Sequence, residues 1–265
     1  MRTGHILITG ASSGIGEGFA RAFAREKWQL ILVARRRERL EKLVQELRQE
    51  VGRVSVQILV HDLNLPHAPL EIFDYCAQQG LQIDGLINNA GIGIQGDLVD
   101  MTPEQVESTL AVNVVSLTRL CHLFLPDMIR RKKGFILNIA STAGFQPIPH
   151  FAVYAATKSY VISLSEALYE EVKAHGVLVS CLCPGPVHTE FQEKAGMSPR
   201  FFATAQSVDA VVRAGLHAIK HRQALAWTSC FQRLFTWMAE LAPHDIRRCV
   251  AGKVIEATGD LKKKS

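Results

Sequence analysis

Tyr154 and Lys158 are a pair of residues in this 265-residue chain whose types and spacing suggest chemistry. Side chains at i and i+4 share one face of a helix, so the phenol and the ammonium would point into the same space. A nearby positive charge favours the phenolate and lowers the tyrosine pKa toward neutral pH. The pattern therefore predicts an acid–base pair. The alternative is a core tyrosine beside a solvated surface lysine.

Motifs for metal-dependent and hydrolytic chemistry are absent from the sequence. The ten histidines include no HExxH motif and no Cys/His set at zinc spacing, so we predict no metal site. Ser141 is not preceded by a GxSxG elbow, which argues against a hydrolase nucleophile. The six cysteines form no CxxC pair and are predicted to be reduced thiols.

The composition is that of a globular protein, with 48% apolar and 21% charged residues. No run of about 18 uncharged apolar residues occurs, so we predict no membrane span. The N-terminus enters a strand-like stretch without the features of a signal peptide, which predicts a cytoplasmic protein. The net charge of +5 is concentrated at 35–37, 130–133 and 262–264, too locally for a nucleic-acid-binding surface.

Short stretches rich in β-branched residues alternate along the chain with longer stretches of helical periodicity. Several of the short stretches are apolar at consecutive positions, which is typical of strands covered on both faces. The predicted strands are HILIT (5–9), QLILVA (29–34), VSVQILV (54–60), DGLINN (84–89), GFILNIA (134–140), VLVSCLC (177–183) and ALAWTS (224–229). The predicted helices span about 14–27, 36–50, 66–80, 103–131, 154–175 and 207–221.

Strict alternation of strand and helix implies a parallel sheet with right-handed crossovers. We therefore predict an α/β fold with a doubly wound sheet of seven parallel strands, helices on both faces and a C-terminal helical extension. No linker, composition break or internal repeat divides the sequence. Residues 1–229 are predicted to form one domain, and residues 230–265 are predicted to pack on it.

The extension has the pattern of two amphipathic helices, the second starting at Pro243. We predict that both pack on the edge of the sheet. Partner binding or a lid over the active site is the second interpretation, and shallow contact with a membrane surface is the third. The first apolar face consists of Phe231, Leu234, Phe235, Met238 and Leu241, and the second helix has Ile246, Val250 and Val254.

A glycine-rich turn, ITGASSGIG at 8–16, follows the first predicted strand and opens the first predicted helix. Gly10, Gly14 and Gly16 allow a tight turn and close approach of a ligand to the backbone. The N–H groups at the start of the helix would then face a pyrophosphate. The position of the turn predicts a dinucleotide-binding site, although a purely structural turn is the alternative.

The glycine spacing here is GxxxGxG, which differs from the GxGxxG dinucleotide fingerprint. With Thr9 in front, TGASSGIG resembles the short-chain dehydrogenase/reductase family, in its compact single-domain branch. Further motifs follow in the order typical of that family, and the resemblance covers residues 5 to about 229. They are NNAG at 88–91, Asn113 in AVNVVS, Ser141 in NIAST, YAATK at 154–158 and PGPVHT at 184–189.

This resemblance implies a Rossmann-type fold and an enzyme that transfers a hydride between a nicotinamide cofactor and a carbonyl or secondary alcohol. It implies that Tyr154 is the general acid in reduction and the base in oxidation, and that Lys158 also hydrogen-bonds the nicotinamide ribose. Ser141 would donate a hydrogen bond to the substrate oxygen. Asn113 would position a water that relays protons to bulk solvent.

The resemblance also places the cofactor. Asp62 and Leu63 would flank the adenine, and Asn88 would lie near the adjacent ribose. Thr189 and the backbone around Val187 would hold the carboxamide. The cofactor-binding residues implied are Gly10, Ser12, Ser13, Gly14, Ile15, Gly16, Arg35, Arg36, Asp62, Leu63, Asn89, Ala90, Gly91, Tyr154, Lys158, Pro184, Gly185, Val187 and Thr189.

The end of the second predicted strand, LVARRRER, bears on the choice of cofactor. NAD enzymes commonly have an acidic residue here for the ribose 2′-OH, whereas an arginine accommodates the 2′-phosphate of NADP. Ala34 occupies the acidic position, and Arg35 and Arg36 follow it, so we predict NADP rather than NAD. One departure is Ser13, where NADP-dependent relatives often have a basic residue.

The predicted substrate pocket is apolar, so we predict an apolar ketone, aldehyde or 3-oxoacyl-type substrate, or the matching alcohol. His150 is a further candidate for substrate contact, whereas His188 is predicted to be structural. A core position is the alternative for each aromatic residue. The pocket residues are Ala143, Phe145, Ile148, Phe151 and Phe191, with Met197, Phe201 and Phe202 in a mobile flap at 191–202.

The helices near the middle of the chain bear on the oligomeric state. Relatives pair through the helices near 103–131 and 154–175, which predicts a homodimer. A tetramer formed across the seventh strand is the alternative, which the extra C-terminal helices would block.

The rival function is a dinucleotide-binding sensor or scaffold without catalysis. Such proteins usually lack the tyrosine or the lysine, and this sequence has all four catalytic residues.

Overall fold

A parallel sheet of seven strands forms the centre of the computed structural model, which describes residues 4–196, 205–243, 245 and 253. The strand order is β3-β2-β1-β4-β5-β6-β7, and every pair is parallel. The predicted doubly wound α/β fold is confirmed. The strands are β1 (His5–Thr9), β2 (Gln29–Ala34), β3 (Val56–Val60), β4 (Ile83–Asn88), β5 (Phe135–Ile139), β6 (Leu178–Cys183) and β7 (Leu225–Trp227).

Helices connect the strands, and within the described residues they follow the predicted order. The predicted helix 103–131 is divided by a π-helical turn at Ala111–Ser116. The short helix α7 was not predicted as a separate helix. The helices are α1 (Gly14–Arg25), α2 (Arg37–Val51), α3 (Ala68–Gln78), α4 (Pro103–Leu110), α5 (Leu117–Arg131), α6 (Ala152–Val172), α7 (Phe191–Ala195), α8 (Val208–Lys220) and α9 (Cys230–Leu241).

Two buried clusters cover the two faces of the sheet. Alternate residues of β1 enter different clusters, with Leu7 in one and Ile6 and Ile8 in the other. This arrangement follows from the period of two residues in a strand, and it explains why the central strands are apolar at consecutive positions. The sheet is therefore fixed by packing on both sides, so its carboxyl edge is a rigid platform for side chains.

An ion-pair cluster lies at the amino end of β4. Asp84, which is 3% exposed, accepts hydrogen bonds from Arg131 at 2.8 Å and from Lys133 at 2.7 Å. Gln82 donates to the same carboxylate at 2.8 Å. Burial alone would raise the pKa of Asp84, but these hydrogen bonds outweigh burial and lower the pKa overall. The cluster joins the end of α5 to the sheet.

The stretch from α4 to α5, Pro103–Arg131, is long and apolar enough to cross a membrane by length and composition alone. Of its most apolar window, 44% is buried inside the structure. Leu117, Leu120 and Phe124 of α5 belong to the core cluster on one face of the sheet. This packing is typical of a core helix in a globular protein.

Helix α9 contacts the edge strand β7, but most of its apolar face is exposed. Phe231 is 76% exposed, Met238 58% and Leu241 66%, whereas Thr236 is buried. The amphipathic pattern identifies an apolar face but does not determine what covers it. The second predicted helix, with Ile246, Val250 and Val254, lies outside the described residues.

Candidate active site

A cavity of about 1180 Å³ opens at the carboxyl ends of the strands. This is the edge at which open α/β sheets bind their ligands. Sixteen predicted cofactor residues other than Tyr154 and Lys158 line it: Gly10, Ser12, Ser13, Gly14, Ile15, Arg35, Arg36, Asp62, Leu63, Asn89, Ala90, Gly91, Pro184, Gly185, Val187 and Thr189. Ser141, Tyr154 and Lys158 also line this cavity.

The glycine turn has a backbone conformation that favours glycine. Gly10 has φ +64° and Gly14 has φ +59°, both in the left-handed region. A Cβ on Gly16 would lie 2.5 Å from the Gly10 carbonyl oxygen, so Gly16 is required by packing. Gly16 does not line the cavity, so its role as a cofactor contact stays a prediction.

The turn is held against β4 by Thr9 and Asn89. The Thr9 hydroxyl accepts hydrogen bonds from the backbone N–H groups of Asn89 at 3.0 Å and Ala90 at 3.1 Å. The Asn89 side-chain amide donates to the carbonyl oxygens of Thr9 at 2.9 Å and Gly10 at 3.2 Å. Part of the NNAG motif therefore shapes the turn.

The N-terminus of α1 fits a pyrophosphate. Its N-cap residue Ser13 makes no side-chain capping hydrogen bond, and Gly14 and Ile15 in the first turn face the cavity. Uncapped N–H groups at a helix start attract anions, because their dipoles add to a partial positive charge. The turn, the helix start and the cavity size together are suited to a dinucleotide.

Tyr154 and Ser141 meet in the cavity. Tyr154 lies in the first turn of α6, Ser141 follows β5, and the Ser141 hydroxyl is close enough to lower the pKa of the tyrosine. The Ser141 Oγ also accepts from the backbone N–H of Ala143 at 3.1 Å. The tyrosine ring stacks on Phe151, with centroids 4.4 Å apart, and packs against Phe191 at 5.4 Å. Aromatic packing therefore fixes the direction of the phenol.

Lys158 is buried beneath the same cavity. It is 4% exposed, and its Nζ lies 5.6 Å from the centroid of the Tyr154 ring. The ammonium donates to the carbonyl oxygen of Ile139 at 2.8 Å, which orients it at the end of β5. The predicted sharing of one cleft by tyrosine and lysine is therefore present, and the alternative of a solvated lysine is wrong.

The pKa values differ from the expectation. Burial raises the pKa of Tyr154 to about 12, and the Ser141 hydroxyl opposes this shift only in part. Burial also lowers the pKa of Lys158 to about 8, against a raising effect from Cys181 and Cys183. In the protein alone, desolvation is therefore the larger effect on the pKa of Tyr154. The predicted lowering also depends on the positive charge of an oxidised nicotinamide, and for that complex it stays a prediction.

Asn113 lies behind the cavity wall, in the π-helical turn. Its Oδ1 accepts from the backbone N–H of Ile92 at 2.9 Å, and its Nδ2 donates to the Ile92 carbonyl oxygen at 2.8 Å. The same Nδ2 donates to the hydroxyl of Thr157 at 3.0 Å. Thr157, which sequence reasoning did not single out, therefore links Asn113 to the helix of Tyr154. π-Helical turns are frequent at functional sites.

Arg36 reaches from the end of β2 to the glycine turn. Its Nη2 donates to the hydroxyls of Ser12 and Ser13, both at 3.1 Å. Arg35 is more exposed, with its Nη1 3.6 Å from a carboxylate oxygen of Asp62. Both arginines line the cavity, so the predicted basic end of β2 does face the cavity.

Glu190 is a site residue that sequence reasoning missed. Its carboxylate accepts from Arg36 at 2.9 Å, from Lys194 at 2.9 Å and from Arg39. Hydrogen bonds from Lys194, Arg39 and Arg36 lower the pKa of Glu190 to about 2. Its position directly after the PGPVHT motif was the available signal, but Arg36 and Arg39 lie in a distant part of the chain.

Two further predicted site residues have buried side chains. Asn88, expected near the adenosine ribose, is 2% exposed and donates to Asn138 Oδ1 at 2.9 Å in the core. Phe145, expected in the substrate pocket, is buried and stacks on Trp227 with ring centroids 6.0 Å apart. Asn88 is the last residue of β4, and Phe145 ends a turn at Thr142–Phe145; both side chains point into the interior rather than toward the cavity.

The remaining predicted pocket residues Ala143, Ile148, Phe151 and Phe191 line the cavity. Residues of α9 also contribute to the wall, in agreement with the second interpretation of the extension: Phe231, Gln232 and Phe235. His150 pairs with Asp97 and does not line the cavity, and His188 is exposed. Of the predicted flap residues, Met197, Phe201 and Phe202 lie outside the described residues.

Comparison with known proteins identifies the family. A family model described as short chain dehydrogenase matches residues 4–199. An uncharacterized oxidoreductase from Staphylococcus epidermidis is 32% identical over 209 residues, which cover 78% of this chain and 89% of that protein. A very-long-chain 3-oxoacyl-CoA reductase from Anas platyrhynchos is 31% identical over 194 residues, which cover 71% of this chain and 61% of the relative.

A solved structure is similar over most of the chain. It is a short-chain dehydrogenase from Sphingobium yanoikuyae in complex with NADPH, with a TM-score of 0.81 and 33% identity, covering 91% of this chain and 96% of that chain. The protein therefore belongs to the short-chain dehydrogenase family. It is an oxidoreductase that catalyses nicotinamide-dependent hydride transfer.

Proposed function

We propose that the protein is an NADP-dependent enzyme that reduces apolar ketones, aldehydes or 3-oxoacyl-type compounds, or that catalyses the oxidation of the matching alcohols. The observation that supports this most is the meeting of Tyr154, Ser141 and Lys158 at the cavity that the glycine turn borders. A proton donor, a hydrogen-bond donor and a buried cation beside one dinucleotide site are what carbonyl reduction requires.

Tyr154 and Ser141 are proposed to act on the substrate oxygen. When bound, the nicotinamide cofactor supplies or accepts the hydride. The Tyr154 hydroxyl donates its proton to the carbonyl oxygen during reduction and takes it back during oxidation. Ser141 donates a second hydrogen bond to the same oxygen, which stabilises the negative charge that develops there. A tyrosine pKa of about 12 keeps the donor protonated at neutral pH.

Lys158 and Asn113 are proposed to support that proton transfer. Lys158 retains N–H groups beyond the one that bonds Ile139, and these would hydrogen-bond the nicotinamide ribose. Its ammonium also stabilises the phenolate that remains when Tyr154 has donated its proton. Asn113, fixed by Ile92 and Thr157, would position a water that returns the proton from bulk solvent.

The preference for NADP rests on the basic end of β2. Arg36 bridges the hydroxyls of Ser12 and Ser13, so a guanidinium lies where NADP-dependent relatives often have a basic residue next to the second glycine. The apparent departure at Ser13 is thus compensated in space. Ala34 leaves no carboxylate at the end of β2 to repel a 2′-phosphate. The similarity to a structure in complex with NADPH supports the same preference.

The apolar substrate class rests on the cavity wall around Tyr154. Phe151 and Phe191 pack against the tyrosine, and Ile148 and Phe231 extend the apolar wall. Such a wall favours substrates that lose apolar surface to water on binding. The similarity to a 3-oxoacyl-CoA reductase points in the same direction.

We also propose that the protein acts in the cytoplasm as a homodimer, with a tetramer as the alternative. Support for the dimer comes from exposed apolar residues on the helices predicted to pair: Leu110 is 43% exposed and Tyr160 39%. Sedimentation of the full chain, compared with a truncation after residue 229, measures the assembly and the effect of the extension.

Binding isotherms for NADPH and NADH, followed by a carbonyl panel, test the proposal. We expect tighter binding of NADPH, and oxidation of NADPH with aliphatic and aromatic ketones, aldehydes and 3-oxoacyl thioesters. Small charged carbonyl compounds serve as the control panel and should react slowly. Turnover of charged compounds together with no reaction of apolar ones would overturn the substrate class.

A further inference from the structure

Glu190 holds a cluster of basic side chains at the proposed cofactor site. Its carboxylate accepts from Arg36 and Lys194, each at 2.9 Å, and from Arg39. One carboxylate is thus shared by three cations. Lys194 belongs to α7, whereas the two arginines come from the region around the start of α2, so the cluster joins distant parts of the chain.

The ion pair between Arg36 and Glu190 crosses the carboxyl edge of the sheet. Arg36 follows β2 and Glu190 follows β6, and these strands lie on opposite sides of β1. The neighbouring Thr189 lies close to the glycine turn, because a Cβ on Gly14 would be 3.0 Å from its Cγ2. The segment 189–190 therefore lies across the start of α1, where a pyrophosphate is expected to bind.

Arg36 offers two sets of donors to different partners. Its Nη2 donates to the hydroxyls of Ser12 and Ser13, and its Nη1 donates to Glu190. Phosphate and carboxylate are both negatively charged acceptors, and both bind a guanidinium through its N–H donors. The Glu190 side chain is 32% exposed, so a ligand that arrives from solvent has access to the same donors.

The carboxylate is also close in sequence to the catalytic tyrosine's aromatic wall. Phe191 follows Glu190 directly, and its ring lies 5.4 Å from the Tyr154 ring. Gln192 donates to the carbonyl oxygen of Val187 at 2.7 Å, which makes this segment compact. Glu190 is therefore one residue from the wall of the substrate site.

We propose that Glu190 is a specificity-determining residue that occupies, in the protein alone, the subsite of the 2′-phosphate. The 2′-phosphate of NADP displaces the carboxylate from Arg36 and Arg39, whereas NAD has no group that does so. This inference rests on the proposed preference for NADP and deepens it. Glu190 acts as an internal competitor, so it weakens NADP binding and ties the cofactor subsite to Phe191.

The test measures binding of two nucleotide probes by isothermal titration calorimetry. Adenosine 2′,5′-bisphosphate contains the 2′-phosphate, and 5′-AMP lacks it. For Glu190→Gln, which removes the charge and keeps the shape, we expect the bisphosphate to bind about tenfold more tightly and 5′-AMP to change by less than about twofold. Glu193→Gln, on an exposed residue of α7, is the matched control and should leave both affinities unchanged.

The outcomes separate this inference from the proposed function. A wild type that binds both probes equally would overturn the NADP preference itself. A wild type that prefers the bisphosphate, with Glu190→Gln unchanged or weaker, would overturn only the competitor role, and weaker binding would mean that Glu190 positions the arginines. Glu190→Ser is a second variant that removes the negative charge. Thermal unfolding of both variants checks that the fold is intact.

Discussion

One carboxylate at each end of the parallel sheet binds several basic side chains, and the two clusters differ in burial. Asp84 at the amino end is 3% exposed and joins Arg131 and Lys133 to β4. Glu190 at the carboxyl end is 32% exposed and borders the cavity. A buried ion pair is strongly destabilised when one partner is removed, whereas an exposed pair contributes little, so its groups are available to a ligand.

The same contrast separates the residues that stabilise the protein from those that act on ligands. At the carboxyl edge, Tyr154 and Lys158 are buried polar groups whose pKa values are shifted against their charged forms. Burial of such groups lowers the stability of the fold. Active sites keep them because the chemistry requires polar groups at these positions. At the amino end, the cost of burying the Asp84 carboxylate is offset by its ion pairs with Arg131 and Lys133. Substitutions at the carboxyl edge should therefore lower activity more than stability, and substitutions at Asp84 should lower stability more than activity.

The largest effect is expected from Lys158→Met. The substitution removes the cation beneath Tyr154 but keeps an unbranched apolar stem, so kcat/KM should fall by about 10³-fold. The free energy of unfolding should stay within about 1 kcal/mol of wild type, because a costly buried ammonium is lost with its hydrogen bond. Steady-state kinetics and urea unfolding measure the two quantities. Lys173→Met, at an exposed lysine just beyond α6, is the control and should alter neither.

Asp84→Ala should have the opposite profile. Loss of the carboxylate leaves Arg131 partly buried without this partner, so the free energy of unfolding should fall by about 3 kcal/mol. The kcat/KM of the folded variant should remain near wild type, because Asp84 lies at the far end of the sheet. Asp127→Ala, on a more exposed partner of Arg131, should cost less than about 1 kcal/mol. Equal losses at both positions would contradict the distinction made on burial.

Arg36→Ala addresses the carboxyl edge through cofactor affinity. Removal of the guanidinium that bridges Ser12 and Ser13 should weaken NADPH binding by about tenfold and NADH binding by less than about twofold. Arg37→Ala removes an exposed arginine that pairs with Glu41 at 3.7 Å, and it is the matched control. Parallel loss of both affinities in Arg36→Ala would mean that the arginine only supports the turn.

The smallest effect concerns pH and stability. The pKa of Asp84 is lowered from its ordinary value of 3.8, so its folded state binds a proton less readily than the unfolded chain does. The stabilisation by Asp84 is therefore complete above that pH and is lost as the pH falls through the lowered pKa. Unfolding curves of wild type and Asp84→Ala should converge on acidification. A difference that grows as the pH falls would contradict this sign.

Much of the fold follows from local patterns in the sequence. The seven strands and the glycine turn were predicted because buried parallel strands have consecutive apolar residues and because tight turns need glycine. The π-helical turn at Ala111–Ser116 was not predicted, since the residues on either side keep a helical periodicity. The strand ends shifted by one to two residues in several cases, for example β7 at Leu225–Trp227, because pairing with a neighbour fixes the ends.

The candidate site was predicted where a motif is local and missed where contacts span the chain. Tyr154 and Lys158 share a helix, so their common direction follows from spacing alone. Glu190 meets Arg36 across 154 positions, which no local pattern encodes. The burial of Phe145 and the raised pKa of Tyr154 depend on how tightly neighbouring elements pack, so they required coordinates.

The most direct test of the central claim is single-turnover reduction by Tyr154→Phe at saturating NADPH. Tyr160→Phe, on the same helix but exposed, is the control. If the Tyr154 hydroxyl donates the proton, the variant should bind NADPH within about twofold of wild type and reduce the carbonyl about 10³-fold more slowly. Reduction at the wild-type rate by Tyr154→Phe would contradict the proposal that this hydroxyl is the acid.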